Sequence, residues 1–254
     1  MKIAAQLYTV RDFVKTEKDI RSSFKKIKDM GYNSIQISGV GPIDPVLLNE
    51  IVKENELDIC LTHMPYDRII NDTKNVISEH KLWNCDYIGI GAMNPEFRIS
   101  KDGYDAFLNS ISRAVDEIHD AGLKFMYHNH NFEFEKIDGA LTGFEYIVNK
   151  TNPEKVGITA DLYWIQAGGA SPVQYIEKYA DRFDIVHFKD MAVIKSEMIM
   201  AEVFEGNMGY KAIYDACIRN NIKCAAVEQD VCRRDPFDCL KTSIDNINKY
   251  CINV

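Results

Sequence analysis

Eight short apolar runs alternate with amphipathic stretches from one end of this 254-residue chain to the other. That alternation restricts the fold more than any other feature. The runs read as strands: Lys2–Tyr8, Asn33–Ser38, Leu57–His63, Asp86–Gly91, Leu123–Asn129, Val156–Asp161, Phe183–Phe188 and Lys223–Gln229. Between them the apolar residues return every three or four positions, the period of a helix with one buried face. EKDIRSSFKKIKDMG sets Ile20, Phe24, Ile27 and Met30 on such a face and stops at Gly31, a residue suited to a C-cap. YDAFLNSISRAVDEIHDAG does the same with Phe107, Leu108, Ile111, Val115 and Ile118, ending at Gly122. SPVQYIEKYADR opens with Ser171 as a cap and Pro172 at the first helical position, and DPFDCLKTSIDNINKY supplies the last helix. Parallel strands need crossover helices, and eight such units in about 250 residues close into a barrel. A doubly wound open sheet usually has fewer strands, and the first turn, QLYTVRDF, lacks the glycine-rich phosphate loop of that architecture. With no linker, low-complexity tract or charge block, residues 1–254 are expected to be a single domain, an α/β fold of the (β/α)8 TIM-barrel class.

A barrel of this kind carries its chemistry on the loops at the C-terminal ends of its strands. Those ends hold Gln6, Gln36, His63, the glycine pair Gly89 and Gly91, His128 with His130, Asp161, His187 and Glu228. Four of the six histidines fall there; His80 and His119 fall on helices and are expected to be solvated. Scattered surface charge has no reason to collect in such a set. FDIVHFKD poses the question most sharply, because imidazole, ammonium and carboxylate follow a buried strand core at once. Such groups are costly there unless something uses them.

Composition removes other classes. A net charge of −8 argues against a nucleic-acid partner or an anionic membrane surface, which want a basic face. No run approaches the roughly 18 apolar residues of a membrane span, and the start, MKIAAQLYTVRDF, turns polar too soon for a signal peptide. Seven scattered cysteines with no CxxC pair point to reduced thiols and a cytoplasmic location.

Asp161, His187 and Glu228 end three successive strands and are expected to converge at one mouth of the barrel. The loop after the fifth strand, YHNHNFEFE, adds a carboxylate from Glu133 or Glu135. Three carboxylates and an imidazole suit one divalent ion such as Mn2+, Mg2+, Co2+ or Zn2+. Without a cation the carboxylates would repel one another. On this reading His187 is a metal ligand, and Lys189 and Asp190 flank the reacting centre.

Segments of the chain resemble the xylose-isomerase-like TIM-barrel superfamily of sugar phosphate isomerases and epimerases, also called endonuclease-IV-like family 2. YHNHNFEF, DLYWIQAGG, VHFKDM, FEGNMGY and VEQD look like its signature segments, and QLYTVRD is similar to its first-strand motif. The likeness runs through nearly the whole chain in order. It implies a metal held by Glu133, Asp161, His187 and Glu228, with Glu133 and Glu228 as acid/base pair on opposite faces of the substrate. Glu133 is preferred to Glu135 because it sits inside FEF. The chemistry implied is proton abstraction next to a carbonyl through a metal-stabilised enediolate. Gln6, His63, His128, His130, Trp164 and Lys189 would contact the substrate, a small sugar, keto-sugar or cyclitol. The chain departs from the epimerases at Trp164, where DLYW replaces Asp-x-x-His, at Val193 and Ile194, which stand where a basic residue is usual, and at Gln36, where relatives often have Glu. These departures point toward the branch acting on keto-inositols or 3-keto-glycosides.

The leading expectation is therefore a metal-dependent sugar or cyclitol isomerase/epimerase, with no membrane or nucleic-acid partner and a possible homo-oligomeric state. A lyase or dehydratase on a 3-keto-glycoside or inosose would use the same metal site. A non-catalytic sugar-binding barrel is the alternative of another class. A DNA-repair endonuclease on this scaffold would want a basic groove and further histidine ligands.

Overall fold

All eight apolar runs form strands in the computed structural model, which describes residues 1–252. In chain order the strands are β1 (Lys2–Gln6), β2 (Ser34–Ile37), β3 (Asp58–His63), β4 (Tyr87–Ile90), β5 (Lys124–His128), β6 (Lys136–Asp138), β7 (Leu141–Thr142), β8 (Val156–Asp161), β9 (Ile185–Phe188), β10 (Asp190–Ile194), β11 (Glu197–Ala201) and β12 (Cys224–Val227). Eight of them close in the order β1-β12-β9-β8-β5-β4-β3-β2, a (β/α)8 TIM barrel surrounded by helices. Two compact units account for the contacts: Met1–Cys60 with Ile185–Val254, and Leu61–Asp184. In the first unit β1 lies between β2 and β12, and β12 pairs onward with β9, all parallel. In the second, β3, β4, β5 and β8 follow one another in parallel register.

Ten α-helices occur among the described residues: α1 (Glu17–Asp29), α2 (Pro45–Glu54), α3 (Tyr66–Asn71), α4 (Thr73–Trp83), α5 (Lys101–Asp120), α6 (Gly143–Lys150), α7 (Leu162–Ala167), α8 (Pro172–Lys178), α9 (Tyr210–Arg219) and α10 (Pro236–Ile247). Eight were expected. The surplus arises where Asp72, at φ −134° and ψ 28°, separates α3 from α4, and where a Gly168-Gly169 break separates α7 from α8. The helix stripes are those the periodicity predicts: Ile20, Phe24 and Ile27 are buried on α1, and Phe107, Ile111, Val115 and Ile118 on α5. Thr16 caps α1 in a reciprocal box with Asp19, and Ser171 caps α8 ahead of Pro172. Gly31 and Gly122 follow their helices at φ +104° and +75°, a region closed to most side chains.

Two antiparallel hairpins, β6–β7 and β10–β11, were not expected. In the second, Ile194 pairs with Glu197 across a two-residue turn of Lys195 and Ser196, both at positive φ (51° and 67°). That is the conformation of a type I′ turn, which usually announces itself by Asn-Gly or Asp-Gly. Lys-Ser gives no such signal.

His80 corrects an expectation. It is fully buried rather than solvated, with Nε2 2.7 Å from Thr62 Oγ1 and Nδ1 2.7 Å from the Val76 carbonyl. Burial lowers its pKa to about 4. The folded value is thus depressed below the ordinary 6.5. As pH falls below that, the unfolded chain takes up a proton that the folded chain refuses. Stability from this residue is complete above pH 6.5 and declines down to about 4, by about 3 kcal/mol in all. Urea midpoints measured across this window should fall more steeply in the native protein than in His80→Gln; equal slopes would show that His80 takes up its proton in the folded chain as readily as in the unfolded one.

Candidate active site

Parallel register and the two-residue alternation of strands decide which side chains share a face. In the first unit Gln6 is level with Gln36, Ala226 is level with His187, and Val227 is level with both Ala5 and Phe188. Gln6, Gln36, His187, Lys189 and Glu228 therefore project to one side of their strands. All five are buried. In the second unit His128 is level with Thr159, which places it on the same face as Asp161 two residues on.

Glu228 is the most heavily held of these groups. Gln6 Nε2 donates to Oε1 at 2.7 Å, while Lys189 Nζ and His187 Nδ1 lie 2.8 and 3.1 Å from Oε2. Lys189 is itself shared with Asp230, 2.5 Å away, so a buried ammonium stands between two carboxylates. On the other side of the imidazole, His187 Nε2 is 2.8 Å from Gln36 Oε1. In the second unit His128 Nδ1 is 2.8 Å from the Gly91 carbonyl and Nε2 is 3.4 Å from Asp161 Oδ2. The other oxygen, Asp161 Oδ1, accepts from the Trp164 N–H at 3.0 Å and caps α7. Asn129 locks the end of β5 to that of β8, its Oδ1 accepting the Asp161 N–H at 2.9 Å.

One ligand atom from each of His128, Asp161, His187 and Glu228 lies within 4.8 Å of the others, and all four residues are buried. The hydrogen bonds show why the group fits a cation. A neutral imidazole donates through one nitrogen only. His128 gives its donor to the Gly91 carbonyl, so Nε2 turns a lone pair toward Asp161. With Gln36 Oε1 taking the Nε2 proton, His187 likewise turns Nδ1 toward Glu228. Both tautomers follow from the oxygen acceptors that the far nitrogens face. Two lone-pair-bearing atoms thus face each other in the His128–Asp161 pair, an arrangement that a cation would relieve, while at Glu228 the Lys189 ammonium already brings positive charge to the same oxygen. Histidines committed in this way through the far nitrogen are the usual form of metal-ligating imidazoles. Two nitrogens and two carboxylates match Zn2+, Mn2+ or Co2+ better than Mg2+, which prefers an oxygen shell.

Of the four ligands expected from the sequence, Asp161, His187 and Glu228 are in the group; the fourth member is His128, expected as a substrate contact. Glu133 stands outside it. It is fully buried, with Oε1 accepting from Tyr127 Oη at 2.6 Å and Oε2 from the His130 N–H at 2.8 Å. Burial raises its pKa to about 7 against those bonds. Glu135, its rival for the role, is exposed. His63 and His130 are half-buried, their rings 5.1 and 4.7 Å from that of His128. His130 also stacks on Phe132 at 5.6 Å and meets Trp164 at 5.7 Å, forming one aromatic wall. Arg98 lies 4.0 Å over the Phe132 ring and continues it.

Asp190 works outside the site. Its Oδ1 accepts the Met191 and Met208 N–H groups and its Oδ2 those of Phe204 and Gly206. In the loop that Asp190 gathers, the positive φ values fall on Phe204 (71°) and Gly209 (69°). Gly206 is needed for approach, since a Cβ there would sit 2.4 Å from Asp190 Oδ1. The bonding partners that the sequence did not assign are Gln36 to His187, Asn129 to the Asp161 backbone and Asp230 to Lys189. Gln36 and Asp230 were visible as polar residues at or just past strand ends, whereas Asn129 looked like one more loop amide.

The family model described as xylose isomerase-like TIM barrel matches residues 24–228. The inosose dehydratase of Lactiplantibacillus plantarum is 24% identical over 212 residues, 75% of this chain and 68% of its own length. Across the inosose dehydratases matched, the alignments span from 33% to 68% of the relative's length, about half in two of them. Among solved structures, a sugar phosphate isomerase/epimerase from Parabacteroides distasonis superposes with a TM-score of 0.81 at 23% identity over 98% of both chains. An L-ribulose 3-epimerase does so with a TM-score of 0.73 at 12% identity, over 100% of this chain and 95% of that one. The structural likenesses speak for the fold, and the family match spans well over half the sequence: the chain belongs to the xylose isomerase-like TIM barrel family.

Proposed function

We propose that this protein is a divalent-metal-dependent enzyme that removes a proton next to the carbonyl of a keto-sugar or keto-cyclitol, acting as an isomerase or epimerase. The buried group of His128, Asp161, His187 and Glu228 carries the reading. Those four would hold one ion, whose charge when bound acidifies a C–H next to a carbonyl. Glu228 is the base, oriented by Gln6 on one oxygen and by Lys189 on the other. Lys189 keeps a proton at Nζ, 2.8 Å from Glu228 Oε2, so the pair can return one to the substrate. Glu133, the second acid/base group expected from the resemblance, serves better as a strut: it ties Tyr127 to the His130 backbone and so fixes the end of β5. His63, His130 and Trp164 offer ring faces and nitrogens to a polyhydroxylated substrate.

Elimination is the second reading, favoured by the name that the matched relatives bear, inosose dehydratase. The same C–H bond breaks, a C–O bond one carbon further breaks after it, and Lys189 protonates the departing hydroxide as water.

Metal content separates the ligand sets. After loading with Mn2+ and gel filtration, the native protein should carry about one ion per chain, and His187→Ala and His128→Ala should bind it 10- to 100-fold more weakly, roughly the cost of losing a supporting contact or ligand. Glu133→Gln should keep its ion; loss there, with His128→Ala unaffected, would restore Glu133 as the ligand. Absence of ion binding in the native protein would leave a sugar-binding barrel. Glu228→Gln should cut turnover by roughly 10²- to 10⁴-fold with an unchanged circular dichroism spectrum, and retained turnover would move the base elsewhere. Incubation with keto-sugars or inososes in D2O should put deuterium on the carbon beside the carbonyl. A conjugated ketone absorbing in the near ultraviolet would mark elimination, and exchange without it isomerisation or epimerisation.

A further inference from the structure

Gln6 uses both ends of its side chain. Its Nε2 donates to Glu228 Oε1 at 2.7 Å, and its Oε1 accepts the Tyr8 N–H at 2.7 Å. The support of Glu228 is thereby joined to the 3-10 turn Leu7–Phe13 that leaves β1. Two neighbours hold the same turn. From the loop after β12, the Gln229 N–H donates to Thr9 Oγ1 at 3.0 Å. From the loop after β2, the Gly39 backbone comes close to Tyr8 and Arg11: a Cβ there would stand 3.0 Å from Tyr8 Cδ2 and 3.2 Å from Arg11 Cβ. Its φ of +68° favours glycine as well. The adjacent parallel strands β2, β1 and β12 thus fix this turn at their C-terminal ends.

Arg11 is the charge that this arrangement holds in place. Its guanidinium lies 4.4 Å over the exposed Tyr8 ring, and Nη1 donates to the Tyr8 carbonyl at 2.9 Å. A guanidinium has five N–H groups. Among the described residues that carbonyl is the one protein acceptor Arg11 meets, and no carboxylate pairs with it. Ring and carbonyl order the side chain beforehand, so a ligand need not impose that order. What is left is a planar donor fork, which matches two oxygens of a carboxylate or phosphate. Bracing the turn would need no charge, since an apolar side chain could cover the Tyr8 ring.

We propose that Arg11 is a specificity residue that recognises an oxyanion, carboxylate or phosphate, on the substrate. This rests on the reading of Glu228 as the base acting on a keto-sugar or keto-cyclitol. Gln6 and Tyr8 link the two residues, so one continuous turn positions both the base and the group that selects the substrate. The substrate class narrows to keto acids and phosphates of that kind. A neutral keto-sugar or inosose lacks the contact.

Calorimetric titration of the full chain, loaded with Mn2+, with D-fructose, D-fructose 6-phosphate and 5-keto-D-gluconate tests this. One of the anionic probes should bind roughly 10- to 100-fold more tightly than D-fructose, the range of a hydrogen bond to a charged group. The phosphate and carboxylate arms tell which oxyanion is read. Arg11→Gln should abolish the preference, and Arg11→Lys, which keeps the charge but not the fork, should retain part of it. Added salt should narrow the preference of the native protein. Native protein that binds all three probes alike, or none of them, would overturn the proposal. So would Arg11→Gln protein that keeps the preference, since Arg11 would then only brace the turn. Deuterium uptake by the same probes in D2O keeps the two readings apart. An anion preference without uptake would remove Glu228 as the base and leave Arg11 its role; uptake without an anion preference would do the reverse.

Discussion

Keeping carboxylates charged at buried strand ends is the constraint that the rest of the site answers. A buried anion is stable only when paired and hydrogen-bonded. Glu228 meets that demand from both neighbouring strands: Gln6 comes from β1, and His187 and Lys189 from β9 and the residue just past it. The strand order β1-β12-β9 puts all of these beside it, and parallel register sets them at one level. Asp161 uses the start of α7 for one oxygen and an imidazole for the other. Each carboxylate thus keeps one oxygen pinned by an N–H donor and turns the other toward a histidine nitrogen. Lys189 complicates the picture for Glu228, because its ammonium already offers positive charge to Oε2. Asp230 divides that charge, and its position just beyond Glu228 in VEQD makes it part of the same electrostatic unit.

The barrel was legible because every step of it leaves a local mark. Parallel strands covered on both faces read as continuous apolar runs, and helices read as a 3.6-residue stripe. Only the ends moved, as with Phe183 and Asp184, which precede the strand Ile185–Phe188. Failures came where the deciding contact is remote or the backbone adopts an unadvertised conformation. His80 occupies a helix whose polar residues suggest a solvated surface, and nothing local tells that Thr62 waits opposite its Nε2. The β10–β11 hairpin hides because Lys195 and Ser196 take a turn usually built with glycine. In the β6–β7 hairpin, β6 and β7 have only three and two residues, too few to show an alternation.

The candidate site was legible as a set of strand ends but not as the buried group of His128, Asp161, His187 and Glu228. YHNHNFEF offers two histidines and two glutamates within eight residues, and only packing assigns their parts. Glu133 was chosen by motif, and the choice over Glu135 follows burial. Its place outside the group of four goes with its position in the chain: it lies on the short turn Phe132–Phe134 beyond β5, while His128 is the last residue of the strand itself and shares the face of Asp161. A strand-end residue has its direction set by the pleat. A residue five positions on has its direction set by whatever the turn happens to pack against, here Tyr127 and the backbone of His130.

The same alternation resolves the crowding of charge in FDIVHFKD. His187 and Lys189 share one side of the chain and both reach Glu228, whereas Phe188 between them turns outward and packs on Tyr210. Asp190, of the opposite parity to Lys189, cannot join them. Its carboxylate gathers four backbone N–H groups and fixes where the β10–β11 hairpin and the following loop begin. A cation and an anion adjacent in sequence therefore have no need to pair with each other. One is drawn into the barrel by carboxylates from the neighbouring strand's end, and the other holds the loop whose attachment keeps that lysine's own backbone in place, through the bond of Lys189 N–H to Tyr210 Oη at 2.6 Å.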